Sequence, residues 1–344
     1  MKFVMNLSNE SYPIILKNGV LEKMGALTDL IHRKVLIVTD FGVPIVYAKT
    51  IESQCINGFL LQIEQGETAK SLETLQQILQ TLIQAQFTRY DLLVAVGGGV
   101  VGDLVGFAAA CYMRGISWIH CPTTTLAQID ASIGGKTGID FCGIKNVIGA
   151  FHQPQLVLID PQTLKTLPRR HLANGLAEAV KAGLIGDESL FEMMEKSADA
   201  HLEQIISRAL LVKKHLVEQD PKEQHLRKAL NFGHTIGHAI ESASDGTLYH
   251  GECVAWGMLA MLYETPHLYH RVRKVLSQIG LSMDFFPYEK EEIIPFLKHD
   301  KKALTTTEIT IVKVDEIGSF RLETVCLEKV EKMVCQLIEK ERVK

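Results

Sequence analysis

Through the first half of the chain, short apolar runs alternate with segments whose apolar positions recur at helical spacing. Lys34–Thr39 (KVLIVT) and Gly58–Ile63 (GFLLQI) are runs of β type, and Ser71–Gln86 carries its apolar residues on one helix face. Asp91–Val96 (DLLVAV) follows, then a glycine turn, an apolar stretch, Ser117–Cys121 (SWIHC) and Leu156–Asp160 (LVLID). A strand covered on both faces requires a continuous apolar run rather than an alternating one. The order strand, helix, strand therefore predicts a mostly parallel α/β sheet. The most apolar stretch, Leu104–Met113, is bounded by Asp103 and Arg114 and is too short to cross a bilayer, so it is expected as a buried helix.

After Thr163–Pro168 (TLKTLP) the period changes. Helical spacing dominates from about His171 to Ile279, strand signals return only at Ile309–Val312 and Phe320–Thr324, and Leu327–Glu341 reads as an amphipathic helix. The pattern predicts an α/β domain over residues 1–165 and a mainly α-helical domain over residues 166–344. No repeat, low-complexity tract or long linker separates them, so an active site is expected in the cleft between the two.

Composition narrows the function classes. A chain of 344 residues with 22% charged residues can bury a substantial core, and a net charge of −4 without a basic block argues against nucleic acid as a partner. Seven cysteines (Cys55, Cys111, Cys121, Cys142, Cys253, Cys326 and Cys335) form no C-x-x-C pair, which argues against a disulfide framework and for a reducing compartment. The segment MKFVMNLSNESYPI has neither a long apolar run nor a small-residue cleavage pattern. A cytoplasmic protein with no membrane partner is the expectation.

Candidate chemistry begins at Gly97-Gly98-Gly99-Val100-Val101-Gly102, which satisfies G-x-G-x-x-G between a predicted strand and a predicted helix. There glycines let the backbone approach a pyrophosphate, and the helix N-terminus supplies unpaired N–H donors, so the first domain is expected to bind a nucleotide. Asp103, just beyond, suits ribose or nicotinamide groups better than phosphate. The segment from Asp130 to Thr137 (DASIGGKT) is not a P-loop, because Asp130 stands where its first glycine belongs; its carboxylate and Lys136 fit a polar site or a solvated loop equally well.

Glu178 and Lys181, three apart on a predicted helix, read most simply as a surface ion pair. His234 and His238 share a helix face, and His250 opens the next helix after a polar loop. Thr235 stands where a zincin protease has glutamate. Imidazoles with one carboxylate suit Zn²⁺ with an open position, the catalytic pattern, although two histidines on a helix face are more often packing residues. Arg114, Lys136, Lys145, Asn146, Lys213, Arg227, Asn231, Lys301 and Lys302 cluster in sequence around these motifs, a set suited to a small substrate bearing both phosphate and carboxylate.

Together the motifs resemble one family, 3-dehydroquinate synthase, the sugar-phosphate cyclase of the shikimate pathway. The similar stretches, in family order from Gly97 to Met258, are GGGVVGDLVGF, YMRG, PTTTLAQIDASIGGKTGID, KNVIGAFHQP, TLKTLP, GLAEAVK, LRKALNFGHTIGHAIE and HGECVAWGM, with weaker similarity at QGETAK and DKK. The resemblance implies a dehydroquinate synthase-like fold: an α/β N-terminal nucleotide-binding domain with a mainly α-helical C-terminal domain. It implies NAD held by Glu67, Lys70, Gly99, Val100, Val101, Gly102, Asp103, Thr123, Thr124, Lys136, Lys145, Thr163, Leu164, Lys165 and Thr166. Zinc, with cobalt as the alternative, would be held by Glu178, His234 and His250. On the substrate side it implies Asp130, Lys136, Asn146, Lys181, Lys213, Arg227, Asn231, His238 and one of Lys301 or Lys302, with Arg114 lent across a homodimer interface.

The implied substrate is 3-deoxy-arabino-heptulosonate 7-phosphate. In the family, transient oxidation by NAD acidifies a neighbouring C–H, phosphate leaves, the hydride returns, and the opened ring closes by an intramolecular aldol step. One departure stands out: between Asp140 and Lys145 the chain reads Phe-Cys-Gly-Ile where the family usually has a His-Pro-Leu-Gly-like turn, so the turn before Lys145 and Asn146 is expected to differ in shape. Deoxy-inosose and epi-valiolone synthases act on substrates without the carboxylate, and Lys213, Arg227, Asn231 and His238 match the dehydroquinate pattern instead. A metal-dependent polyol dehydrogenase would lack the GGKTG and LNFGHTIGHAIE combination, and a silent NAD-binding protein would have lost a ligand or a cation.

Overall fold

The computed structural model describes residues 1–8, 10–284, 286–298 and 308–342. The chain forms two compact units, Met1–Leu167 and Pro168–Lys344.

The first unit is a seven-stranded sheet built from β1 (Lys2–Met5), β2 (Tyr12–Leu16), β3 (Lys34–Asp40), β4 (Asn57–Ile63), β5 (Leu92–Gly97), β6 (Ser117–Pro122) and β9 (Leu156–Ile159), in the order β1-β2-β9-β6-β5-β3-β4. Pairing is parallel from β2 to β4, and only β1 runs antiparallel, against β2. Strand β3 shows why the apolar runs are continuous. Leu36 and Val38 pack with α2 (Leu72–Gln84) and α3 (Gly99–Cys111), while Val35 and Ile37 pack on the opposite face with Ala48 and Ile51 of α1 (Ile45–Glu52). Both faces are dry, as a doubly wound sheet demands.

Two hairpins escaped the pattern reading. In β1–β2, Pro13 lies opposite Val4 near the start of β2, just before pairing with β9 begins at Ile14, a position where a strand tolerates a residue without an N–H. Beyond the turn that holds Asp130, the chain forms β7 (Lys136–Phe141) and β8 (Ile144–Phe151), an antiparallel pair beside α3. Its turn is Cys142-Gly143, with φ of +50° and +75°. Positive φ at both central residues is the twist-compatible hairpin geometry. Gly138 and Gly149 let the strands meet closely: a Cβ on Gly149 would stand 2.1 Å from the Thr137 carbonyl oxygen. Those glycines are what make the stretch look like a loop in sequence.

The second unit is mainly helical: α4 (Arg169–Gly186), α5 (Glu188–Ser197), α6 (Leu202–Gln219), α7 (His234–Ala243), α8 (His250–Met261), α9 (Pro266–Gln278), α10 (Lys290–Lys298) and α11 (Leu327–Arg342), joined among the described residues by a hairpin, β10 (Glu308–Lys313) and β11 (Arg321–Cys326). Helix α8 is buried all round from Cys253 to Met261, the signature of a central helix. Glycines bring its neighbours in: a Cβ on Gly257 would lie 1.9 Å from the Gly233 carbonyl oxygen before α7, and one on Gly251 would lie 2.0 Å from the Asn174 carbonyl oxygen of α4. Among the described residues, no helix is long and apolar enough to cross a membrane.

Candidate active site

In the first unit the glycine turn joins β5 to α3 as expected, and packing rather than backbone angle excludes side chains from it. A Cβ on Gly98 would stand 3.0 Å from Thr124 Cγ2, and one on Gly102 would stand 2.3 Å from His120 Cε1. Burial keeps His120 neutral, pushing its pKa down to about 4. Helix α3 begins at Gly99 without a side-chain cap, the arrangement in which a first turn binds an anion. The Thr123 N–H donates to the Gly97 carbonyl (2.9 Å), and the Thr124 hydroxyl accepts the Ala127 N–H (3.2 Å). Asp130 sits on the π-helical turn Ala127–Ala131, where Ala131 would lie 3.7 Å from a Cβ on Gly99.

Lys70 gathers several of the expected NAD residues. It is 4% exposed, its ammonium lies 2.6 Å from Asp103 Oδ2 and 3.7 Å from Glu67 Oε1, and it donates to Asn146 Oδ1. Burial would lower its pKa, but Asp103 and Glu67 hold it above the ordinary value. Asp140 locks the hairpin to this cluster: its N–H donates to the Lys70 carbonyl (2.9 Å), and its Oδ1 accepts the Asn146 N–H (2.7 Å). The unusual Phe141–Ile144 turn therefore leaves Asn146 in the cluster, with φ of +52°. Lys136 begins β7 and Lys145 lies on β8, both exposed.

Thr163, Leu164, Lys165 and Thr166 occupy a 3-10 turn, Pro161–Thr166. Gln128 donates to Thr163 Oγ1 (3.0 Å), and the Thr166 hydroxyl lies 2.9 Å from that of Tyr47. Arg114 is exposed at the far end of α3, in left-handed backbone.

One residue that the pattern reading passed over stands where a ligand is expected. The chain steps from β3 outward to β4 and then returns to β5 on the other side of β3, so the sheet's switch point lies between β3 and β5. Asp40 ends β3 there, its Oδ1 accepting the Gly42 and Val43 N–H groups (2.8 and 3.1 Å), while burial raises its pKa. A carboxylate just past the apolar run Val35–Val38, at the end of a predicted strand, was the available signal.

In the second unit α4 carries Glu178 and Lys181, and their pair corrects the surface reading. Lys181 Nζ contacts Glu178 Oε2 with the side chains 3% and 1% exposed, because α4 is covered by α5, α6 and α8. Glu178 Oε1 lies 3.7 Å from His234 Nε2 and 3.6 Å from His250 Nε2. Neither Glu178 oxygen accepts a well-formed hydrogen bond from the described residues. Burial alone would raise its pKa; Lys181, His234 and His250 together hold it well below the carboxylate range.

The two imidazoles present their Nε2 atoms to Glu178 because their other nitrogens are engaged. His234 Nδ1 lies 3.1 Å from the Phe232 carbonyl oxygen, and His250 Nδ1 lies 3.1 Å from Glu241 Oε2. Burial pushes the His234 pKa well down. Burial opposes charge on His250 too, but Glu178 and Glu241 push it up to about 9. Atoms held at about 2.0–2.2 Å by one tetrahedral zinc lie roughly 3.3–3.6 Å apart, so this set fits the ion with little adjustment. His238 completes a second candidate set, since ring nitrogens of His234, His238 and His250 lie within 4.8 Å of one another. The buried carboxylate favours the set containing Glu178, for its oxygens lack hydrogen bonds among the described residues and an ion would satisfy the lone pairs that Lys181 alone leaves open.

The start of α8 is rigidly held. Glu252 accepts the Tyr249 N–H (2.7 Å) and both Nε and Nη2 of Arg170 (2.7 Å each), and Asn174 Oδ1 accepts the Gly251 N–H. Lys213 is buried on α6, and Arg227 is 1% exposed on the 3-10 segment Leu226–Asn231 that packs on α4 and α6. Asp220 accepts the N–H groups of Gln224, His225 and Arg227, shaping that approach. Asn231 donates to Glu223 Oε1 (2.8 Å), a residue with φ of +57° that sequence patterning gave no reason to single out. Lys301 and Lys302 lie outside the described residues.

Comparison with known proteins points one way. The family model for the 3-dehydroquinate synthase N-terminal region matches residues 60–174, and that for the C-terminal region matches residues 175–303. The chain is 40% identical to the 3-dehydroquinate synthase of Prochlorococcus marinus over 94% of each chain, and 42% identical to that of Latilactobacillus sakei over 91% of this chain and 92% of the relative. Among solved structures it is similar to a 2-deoxy-scyllo-inosose synthase complexed with carbaglucose-6-phosphate, NAD⁺ and Co²⁺, with a TM-score of 0.88 at 26% identity over 97% of this chain and 99% of that one. The 2-epi-5-epi-valiolone synthase of Streptomyces hygroscopicus, with NAD⁺ and Zn²⁺ bound, gives 0.84 at 28% identity over the same shares. A probable glycerol dehydrogenase of Sinorhizobium meliloti, 16% identical at 0.62, shares the fold alone. With both family models matched in order and relatives near 40% identity along almost its whole length, this chain belongs to the 3-dehydroquinate synthase family.

Proposed function

We propose that this chain converts 3-deoxy-D-arabino-heptulosonate 7-phosphate to 3-dehydroquinate and phosphate, using NAD and one zinc or cobalt ion. The observation that carries the metal reading is Glu178: a buried carboxylate whose Oε1, without a hydrogen bond among the described residues, faces two imidazole nitrogens. When bound, the ion would polarise a substrate hydroxyl and NAD would take up and return its hydride.

The chain's own residues would bind and orient. Glu178, His234 and His250 would hold the ion, with Lys181 beside Glu178 to keep that carboxylate ionised. Lys213, Arg227 and Asn231, with Lys302 and His238, would take the phosphate and carboxylate, Asn231 being aligned by Glu223. In the first unit the start of α3 would take the pyrophosphate, the Lys70–Asp103–Glu67 cluster and the Thr123–Thr124 and Thr163–Thr166 turns would hold the rest of NAD, and Asp40 would add a ribose contact. Asp130, Lys136, Lys145 and Asn146 are assigned to the same polar surface. Positioning of successive conformations, rather than a single strong acid or base, is what such a cationic set contributes.

A homodimer in which Arg114 reaches the neighbouring site is part of the same reading. Met113, Arg114 and Gly115 have consecutive φ of +48°, +64° and +122°, beside a surface that includes Leu79, Ile83 and Met113. Such strain in non-glycine residues is retained where function needs a side chain aimed.

The purified protein, given heptulosonate phosphate, NAD and Zn²⁺, should release phosphate with no net accumulation of NADH. Steady NADH production would assign it to dehydrogenase chemistry, and turnover of a sugar phosphate without a carboxylate at equal efficiency would assign it to another cyclase.

A further inference from the structure

We infer that Glu241 is a positioning residue for the metal centre, fixing the ring orientation and tautomer of His250. His234, His238 and Glu241 fall at i, i+4 and i+7 on α7, so all three face the start of α8. Glu241 Oε2 lies 3.1 Å from His250 Nδ1, with side chains 16% and 26% exposed. On the other side of the same ring, His250 Nε2 lies 3.6 Å from Glu178 Oε1. The imidazole is thus clamped between two carboxylates, one on each nitrogen. With a proton on Nδ1 bonded to Glu241, Nε2 is the nitrogen that faces Glu178 and that gives up its proton when an ion binds.

The two histidines of the proposed set are not oriented alike. His234 Nδ1 meets a backbone carbonyl, that of Phe232, which no side-chain substitution removes. His250 depends on a side chain from another helix. A carboxylate acceptor also raises the basicity of the ligating nitrogen more than a neutral carbonyl does. Burial adds to the effect, since a surface ion pair of this kind would contribute little. Glu241 is therefore assigned to act through His250 on the affinity of the centre, not as a ligand itself.

The inference rests on the metal reading above, and the test separates the two. Zinc dissociation constants of the parent, Glu241→Ala and Glu241→Gln proteins are measured by competition with a chromophoric chelator, beside the visible spectra of the Co²⁺ forms and the melting temperatures of the metal-free proteins. Glu241→Ala should weaken zinc binding by about 10- to 100-fold and alter the Co²⁺ spectrum, with the metal-free melting temperature nearly unchanged. Glu241→Gln keeps an acceptor oxygen without the charge and should lie between. A zinc constant for Glu241→Ala within about twofold of the parent overturns the inference, as does a loss confined to metal-free stability. A parent protein that takes up no zinc overturns the metal reading itself.

Discussion

Glu178 carries the sharpest consequences of any single residue, because its two oxygens face Lys181 on one side and two imidazoles on the other. Glu178→Gln is expected to lose zinc and to lower kcat by more than about a hundredfold, as removal of one preorganised electrostatic group commonly does. Metal analysis of the purified variant checks this. Full zinc occupancy would mean that His234, His238 and His250 suffice as the ligand set. The proton on His250 sets a second expectation. Its pKa in the metal-free protein is pushed up to about 9, so at neutral pH the ion must displace that proton to bind. One proton is released per ion. Apparent zinc affinity should therefore fall by about tenfold for each pH unit below about 9, and remain level above it, until other ligands titrate. A chelator competition series from pH 7 to 9 with a flat response would refute the assignment of His250 as a ligand.

Three helices supply the proposed metal ligands, and their spacing depends on glycines rather than on large side chains. Gly257 of α8 lies against the carbonyl of Gly233, the residue immediately before His234. Gly257→Ala would place a methyl 1.9 Å from that oxygen, so α7 and α8 must move apart. The expected cost is about 1–3 kcal/mol of stability, with a parallel loss of zinc affinity because His234 and His250 separate. Thermal unfolding with and without zinc measures both; a variant as stable and as tightly metal-bound as the parent would show that the helix pair tolerates the shift. The same scale explains what was legible beforehand. Strands β3 to β6 and β9 and helices α2 and α3 follow the apolar periods closely, because burial on both faces of a sheet leaves a strong local mark. The β7–β8 hairpin left no such mark. Gly138, Gly143 and Gly149 are required by a tight turn and a close strand approach, and in a sequence those requirements resemble a loop.

For the molecule as a whole, the proposed sharing of Arg114 between protomers makes a prediction that no single-site reading shares. Arg114→Ala and Glu178→Ala proteins should each be nearly inactive. Unfolded together and refolded as a mixture, they should recover about a quarter of parental activity, since half of randomly formed dimers would be mixed and each would hold one complete site. Recovery no greater than the sum of the separate proteins would place Arg114 outside any shared site. What the sequence determined by itself was local. Apolar period set the element types, G-x-G-x-x-G set a strand-turn-helix, and the i, i+4 spacing set His234 and His238 on one face. Only the tertiary structure decided that Glu178 and Lys181 are buried, that Asn146 reaches Lys70 across 76 residues of chain, and which nitrogen of His250 faces Glu178. Those outcomes depend on desolvation and on partners distant in sequence, and neither leaves a period along the chain to be read.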